Sequence, residues 1–248
     1  MQIVNQQVKY PPAPLIDPNT RGYIHLAFEV DDSKIPLYLF ASRRKKNLLA
    51  RAKVFAKTLE TRSDVNTANV FRAVIRPPIK QPFLETVREK FHVARFDVAF
   101  LIETDNLKTA KSIRDSKNFK EFLDSMKELS DYNHVVVAEN ARRINEVDKS
   151  YQGVFLFNYF YSEDVSELLP VWEYTAGWFT KETKLDNSTL MLPAKGEKSQ
   201  YGVINHCRWD SWLRLMPKLL FMKSMRTYVA ANFEANKIAV MPILYKLA

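Results

Sequence analysis

The side chains best suited to chemistry in this chain sit on two short apolar stretches. Tyr201-Gly202-Val203-Ile204-Asn205-His206-Cys207-Arg208-Trp209 gathers a carboxamide, an imidazole, a thiol, a guanidinium and an indole. Val154-Phe155-Leu156-Phe157-Asn158-Tyr159-Phe160-Tyr161 carries a single carboxamide, Asn158, in an otherwise apolar and aromatic run. A buried imidazole near neutral pH can act as acid or base, which makes His206 a catalytic candidate. His25 is a second imidazole on an apolar stretch. If 201–209 is a strand, alternation puts Gly202, Ile204, His206 and Arg208 on one face and Tyr201, Val203, Asn205, Cys207 and Trp209 on the other. Cys207 and His206 then point apart and form no dyad. No His, Asp and Glu residues stand at metal-ligand spacing, so no metal is expected. The five glycines form no phosphate-cradling loop.

Aromatic side chains are the other resource. Phe155, Phe157, Tyr159, Trp172, Tyr174, Trp178 and Trp209 can line a pocket for a flat apolar ligand, or simply pack a core. All four tryptophans follow residue 170.

These residues need elements to hold them. The run 154–161 is short, aromatic and apolar on both faces, which predicts a strand covered on both sides. Upstream, Pro11, Pro12, Pro14 and Pro18 mark residues 1–22 as an extended arm. The spacing then predicts a strand over 23–30, a helix over about 35–59, a strand over 70–75 and a short helix near Pro82. A strand over 96–102 follows. A helix capped by Asp105 and interrupted at Asp115-Ser116 comes next, then a strand over 134–139. The second half reads as a strand over 154–161, a helix opened by Glu163-Asp164, and strands over 189–192 and 201–209. A helix capped by Asp210-Ser211 and broken at Pro217 leads to a last strand over 238–245.

Both halves therefore read β-α-β-β-α-β. Phe96 to His134 spans 38 positions and Tyr201 to Ile238 spans 37, and both copies break the intervening helix. The expected fold is α+β: an arm (1–22) and two tandem ferredoxin-like repeats (23–150, with insertions, and 151–248). Each unit would bear helices on one sheet face and leave the other bare. Packing the sheets face to face, as a pseudo-dimeric α/β barrel, removes the bare faces from water and puts either His206 or Asn205 between them.

Composition agrees with such a body. The 248 residues are 46% hydrophobic, enough for a large core. A single cysteine excludes an internal disulfide, no apolar run approaches a membrane span, and no secretory leader is visible, so a cytoplasmic protein is expected. The net charge of +9 is uneven: residues 33–62 hold nine bases and one acid, a solvated helix face or a docking patch for an anionic partner.

The doubled order, together with the strand that ends in Trp209 and runs into a capped helix at Asp210-Ser211, resembles the dimeric α/β-barrel superfamily. That superfamily includes antibiotic-biosynthesis monooxygenase-like and haem-degrading proteins. The resemblance implies a cofactor-free, monooxygenase-like enzyme acting on an apolar or aromatic small molecule held between the sheets. His206, Asn158 and Trp209 would be catalytic; Phe157, Tyr159, Trp178, Asn205 and His25 would bind the ligand. Haem-degrading relatives use an Asn on the first strand, a Trp ending the third and a His on the second helix. Asn158 and Trp209 match, but residues 212–233 hold no histidine, which disfavours haem. The chain would be a monomer or homodimer. A non-catalytic binding or structural barrel protein is the alternative. A tandem RNA-binding module shares the strand order but is disfavoured by the near-neutral second half, with 11 bases against 9 acids.

Overall fold

The computed structural model describes residues 1–31, 37–78 and 80–248. In the first half, β1 (Gly22–Glu29), α1 (Arg43–Glu60), β2 (Val65–Ile75), α2 (Pro82–Val87) and β3 (Val98–Thr104) are followed by α3 (Leu107–Asp115), α4 (Lys117–Lys127) and β4 (Tyr132–Arg143). The second half comprises β5 (Val154–Ser162), α5 (Leu168–Thr183), β6 (Thr189–Pro193), β7 (Val203–Trp209), α6 (Trp212–Phe221), α7 (Ala231–Ala235) and β8 (Ile238–Leu247). Between α6 and α7 the backbone winds into a wider π-helical turn, Met225–Ala230.

All eight strands are antiparallel and close into a barrel ordered β1-β3-β2-β8-β5-β7-β6-β4. Each half contributes four adjacent strands, β4-β1-β3-β2 and β8-β5-β7-β6. Two seams join them. At one, Phe71 of β2 pairs with Leu247 of β8; at the other, Arg143 of β4 pairs with Thr189 of β6. Each seam carries a register shift, and such irregularities let a sheet bend enough to close.

Alternation divides the side chains into two compartments. Those pointing inward fill the barrel: Tyr23, Phe71, Phe96, Phe155, Phe157, Tyr159, Tyr201 and Tyr245 are all essentially inaccessible to solvent and belong to one apolar cluster. Outside the first half, α1, α3 and α4 pack directly on the strands. Phe55 stacks on Phe122 at 4.0 Å between ring centres, and Phe119 and Phe100 abut the pair. The second half is covered less tightly.

The helix boundaries have local causes. Asn106, one residue beyond the expected Asp105, caps α3 by accepting from Thr109 N–H at 2.9 Å. Ser116 ends α3 and caps α4, accepting from Phe119 N–H at 3.2 Å. The expected break at Pro217 is absent: α6 runs through it. The carbonyl that proline leaves without a partner belongs to Leu213, which is 82% exposed, so water can satisfy it. The interruption comes instead at Met222. The expected start of the first long helix near Ile35 lies outside the described residues; α1 begins at Arg43, capped by Ser42. No helix among the described residues is long and apolar enough to cross a membrane.

The arm runs along the second half. Asn232 of α7 accepts from Val4 N–H at 3.0 Å, and Asn236 donates to the Gln2 carbonyl at 2.7 Å. Asn5 donates to the carbonyl of Thr227 in the π turn. Tyr10 packs on Tyr228 at 4.8 Å. Gly177 of α5 makes this approach possible: a Cβ there would lie 2.0 Å from the Pro11 carbonyl oxygen.

Candidate functional site

A large open space lies outside the barrel. Outward side chains of β5 (Leu156, Asn158, Phe160), β7 (Asn205, Cys207, Trp209) and β8 (Val240, Pro242, Leu244) form its floor. Its roof comes from Trp172, Thr175, Ala176 and Phe179 of α5, Leu215 and Leu219 of α6, Met225 and Val229 of the π turn, and Phe233 of α7. The enclosed volume is about 420 Å³, within the range of small-molecule sites. The gap follows from the helix interruption. A roof broken at Met222 and widened by the π turn does not settle onto the strands as α1, α3 and α4 do. Such π-helical insertions recur at functional sites.

Polar groups on this floor are few. Asn158 and Asn205 are paired across β5 and β7, and Pro242 of β8 stands on the other side of Asn158. Asn205 Oδ1 accepts from Ser188 Oγ at 2.7 Å. Asn158 Oδ1 is buried and has no hydrogen-bond partner. A buried acceptor left unpaired costs free energy that a ligand donor would recover. Trp209 presents its ring to the cavity while its Nε1 donates to Thr183 Oγ1 at 2.9 Å, which fixes the indole. Burial pushes the Cys207 thiol well above its usual range, so it stays protonated and is no nucleophile.

The expected site residues therefore divide between two compartments. Asn158, Asn205 and Trp209 line the outer cavity. His206, His25, Phe157 and Tyr159 lie in the barrel interior, on the other side of the same strands. There the Phe157 ring is sandwiched, 4.2 Å from His206 and 4.8 Å from His25 between ring centres. His206 Nδ1 lies 3.0 Å from the Leu156 carbonyl, so it carries the proton, and Nε2 is left without a partner. His25 Nε2 is 3.0 Å from the Tyr159 hydroxyl. Burial lowers both imidazoles well below their ordinary range, so they are neutral. Trp178 is fully buried on α5, its Nε1 donating to Ser224 Oγ at 2.9 Å just before the π turn.

Between the sheets, where a ligand was expected, the described side chains are buried aromatic rings, and the open cavity described above lies instead between one sheet and its helices. The cavity residues that the spacing did not single out are on α6, the π turn and α7, where apolar positions read as ordinary core. The break in the helix was their one available signal.

Among the described residues, no group of three or more His, Cys, Asp or Glu side chains converges as a metal site. The lining also fits haem poorly, since none of the four histidines borders the cavity to offer iron an imidazole.

No family model matches the chain, and no curated protein matches it. Solved structures do. An anthrone oxidase-like protein superposes with a TM-score of 0.67 at 12% identity, over 95% of this chain and 94% of that one. A candidate monooxygenase from Fusobacterium nucleatum subsp. nucleatum superposes with a TM-score of 0.57 at 8% identity, over 92% of this chain and 93% of that one. At such identities the likeness concerns the fold, which is that of the dimeric α/β barrels with the whole barrel on one chain.

Proposed function

We propose that the chain is a small-molecule enzyme of the cofactor-free monooxygenase kind, built from two tandem ferredoxin-like repeats, with its substrate in the outer cavity. The observation that carries this reading is the unpartnered Asn158 Oδ1 in an otherwise apolar, aromatic chamber. Such a chamber suits a flat apolar compound with one hydroxyl donor, the hydroxyl bonded to Asn158 and the rings against Trp172, Phe179 and Trp209. Asn158, Asn205 and Trp209 orient the substrate. His206 and His25 support the barrel from inside.

The anthrone oxidase-like neighbour suggests a substrate class: tricyclic ketones with an acidic methylene, whose enol form supplies the hydroxyl. Oxidation then balances without a cofactor. The methylene gives a proton to solvent at the mouth, leaving an enolate that passes one electron to dioxygen. The resulting radicals combine into a C–O bond, and protonation gives a hydroperoxide. Loss of water leaves a second ketone, so that one methylene and one dioxygen become one carbonyl and one water. The cavity shields the radical pair from bulk water.

A second reading, a binder without turnover, is favoured by one observation: among the described residues, no carboxylate or imidazole lines the cavity to take the first proton. An RNA-binding module has little support, because that use needs bare sheet aromatics and Phe157 and Tyr159 are fully buried. The test is to supply anthrone under air and follow dioxygen uptake and quinone formation, with calorimetric binding of the same compound under nitrogen. Turnover above the buffer rate supports the enzyme. Binding without turnover leaves the second reading, and neither one removes both.

A further inference from the structure

We infer that the ligand of the outer cavity is an amphipathic anion, its charged group held at the mouth between Lys80 and Arg226. This rests on the outer cavity being the ligand site. The charged residues that line it are both cations: Lys80, on the loop between β2 and α2, and Arg226, in the π turn. Among the described residues, no carboxylate lines the cavity. Elsewhere the surface is laced with ion pairs, among them Arg44–Asp131, Arg62–Asp64 and Arg142–Glu173. Neither Lys80 nor Arg226 makes one with any described residue.

Both are solvent-exposed, as are Pro78 and Leu220 of the same lining, and these four residues mark the mouth. The deeper lining, Leu156, Val229, Phe233 and Leu244, is apolar. Two unpaired cations above a dry chamber attract an anion whose remainder is apolar. Water still reaches the mouth, so the charge need not be fully desolvated. The two cations come from opposite sides, one from the first half's loop and one from the second half's roof. Asn5 of the arm fastens the π turn one residue beyond Arg226, through the Thr227 carbonyl.

Matched probes test this: 2-anthracenecarboxylate and its neutral partner 2-(hydroxymethyl)anthracene, titrated into the full chain by calorimetry at about pH 7.5. The carboxylate is expected to bind roughly tenfold tighter, the scale of one charge-assisted contact. Lys80→Gln with Arg226→Gln should erase that preference and leave the neutral probe's affinity as it was. Raising the salt from about 50 to about 500 mM should weaken the carboxylate alone. Equal affinities in the unmodified protein, or a preference that survives both substitutions, would overturn the inference. Failure of both probes to bind would instead remove the outer cavity as the ligand site. Both variants change exposed side chains, and an unchanged urea midpoint confirms that they fold.

Discussion

Asn158 and Asn205 face each other across the β5–β7 pair, and only Asn205 has its carboxamide oxygen satisfied, by the Ser188 hydroxyl. Within the fold, Asn158 Oδ1 thus contributes no hydrogen bond to the protein's own stability. Asn158→Leu is expected to raise the unfolding free energy by about 1 kcal/mol, because it removes a buried unpaired acceptor and adds apolar contact. The same change should weaken binding of a hydroxylated aromatic ligand at least tenfold. Urea unfolding and calorimetry on one preparation check both halves; a destabilised variant that binds normally would contradict the role given to Asn158.

The barrel histidines make stability fall with acid. Unfolded imidazoles take up protons near pH 6.5, whereas burial lowers folded His134 to about 4 and holds His25 and His206 well below their ordinary range too. Between those values the unfolded chain binds more protons, so stability drops as pH falls from about 6.5 towards 4. His134 alone accounts for roughly 3 kcal/mol over that interval. Urea midpoints at about pH 7.5, 6, 5 and 4.5 should show the decline, and His134→Gln should flatten it.

His206 separates a supporting role from a chemical one. His206→Gln should cost stability through the lost stack on Phe157 and the lost bond to the Leu156 carbonyl, yet leave ligand affinity within about twofold. An activity loss of more than about a hundredfold, with the fold intact by circular dichroism, would restore the imidazole to the reaction.

Lys45 and Asp97 form a buried ion pair at 3.0 Å, and Asp97 also accepts from the backbone N–H groups of Val30 and Asp31. Lys45→Met should cost about 3–5 kcal/mol, because it strands a carboxylate that is fully inaccessible. Adding Asp97→Asn should recover part of that loss. A double variant as unstable as the sum of the singles would show that the two charges do not depend on each other.

Gly177 is one of the points where arm and roof touch. Gly177→Ala puts a methyl group 2.0 Å from the Pro11 carbonyl oxygen, so the arm must lift. The expected penalty is about 1–3 kcal/mol, with faster proteolysis within residues 1–12. Ligand affinity should fall as well, since Asn5 no longer steadies the π turn. Limited trypsin digestion and calorimetry read the two effects.

The eight strands were legible because their apolar runs are short, aromatic or β-branched, and bounded by Asp, Pro or Gly. The helix interruption at Asp115-Ser116 was legible too, since Ser116 is a residue type that opens a new helix, here α4. The seams β2–β8 and β4–β6 were not, because they join distant segments whose pairing leaves no local signature. Alternation correctly set His206 opposite Asn205 and Trp209, but period two cannot say which face meets helices and which meets the other sheet. Pro217 misled for a physical reason: a helix tolerates an internal proline more readily where the orphaned carbonyl lies on an exposed turn, as at Leu213. The cavity depended on how loosely α6, the π turn and α7 sit on their strands, and apolar spacing alone does not register looseness.

The ring of eight strands has a consequence for assembly. With β2 joined to β8 and β4 to β6, every strand in the ring has a neighbour on both sides over at least part of its length, which leaves little backbone for another polypeptide to pair with. Copies of this protein that associate are therefore expected to meet mainly through side chains, by helix or loop surfaces such as the exposed Leu213 and Phe221 of α6.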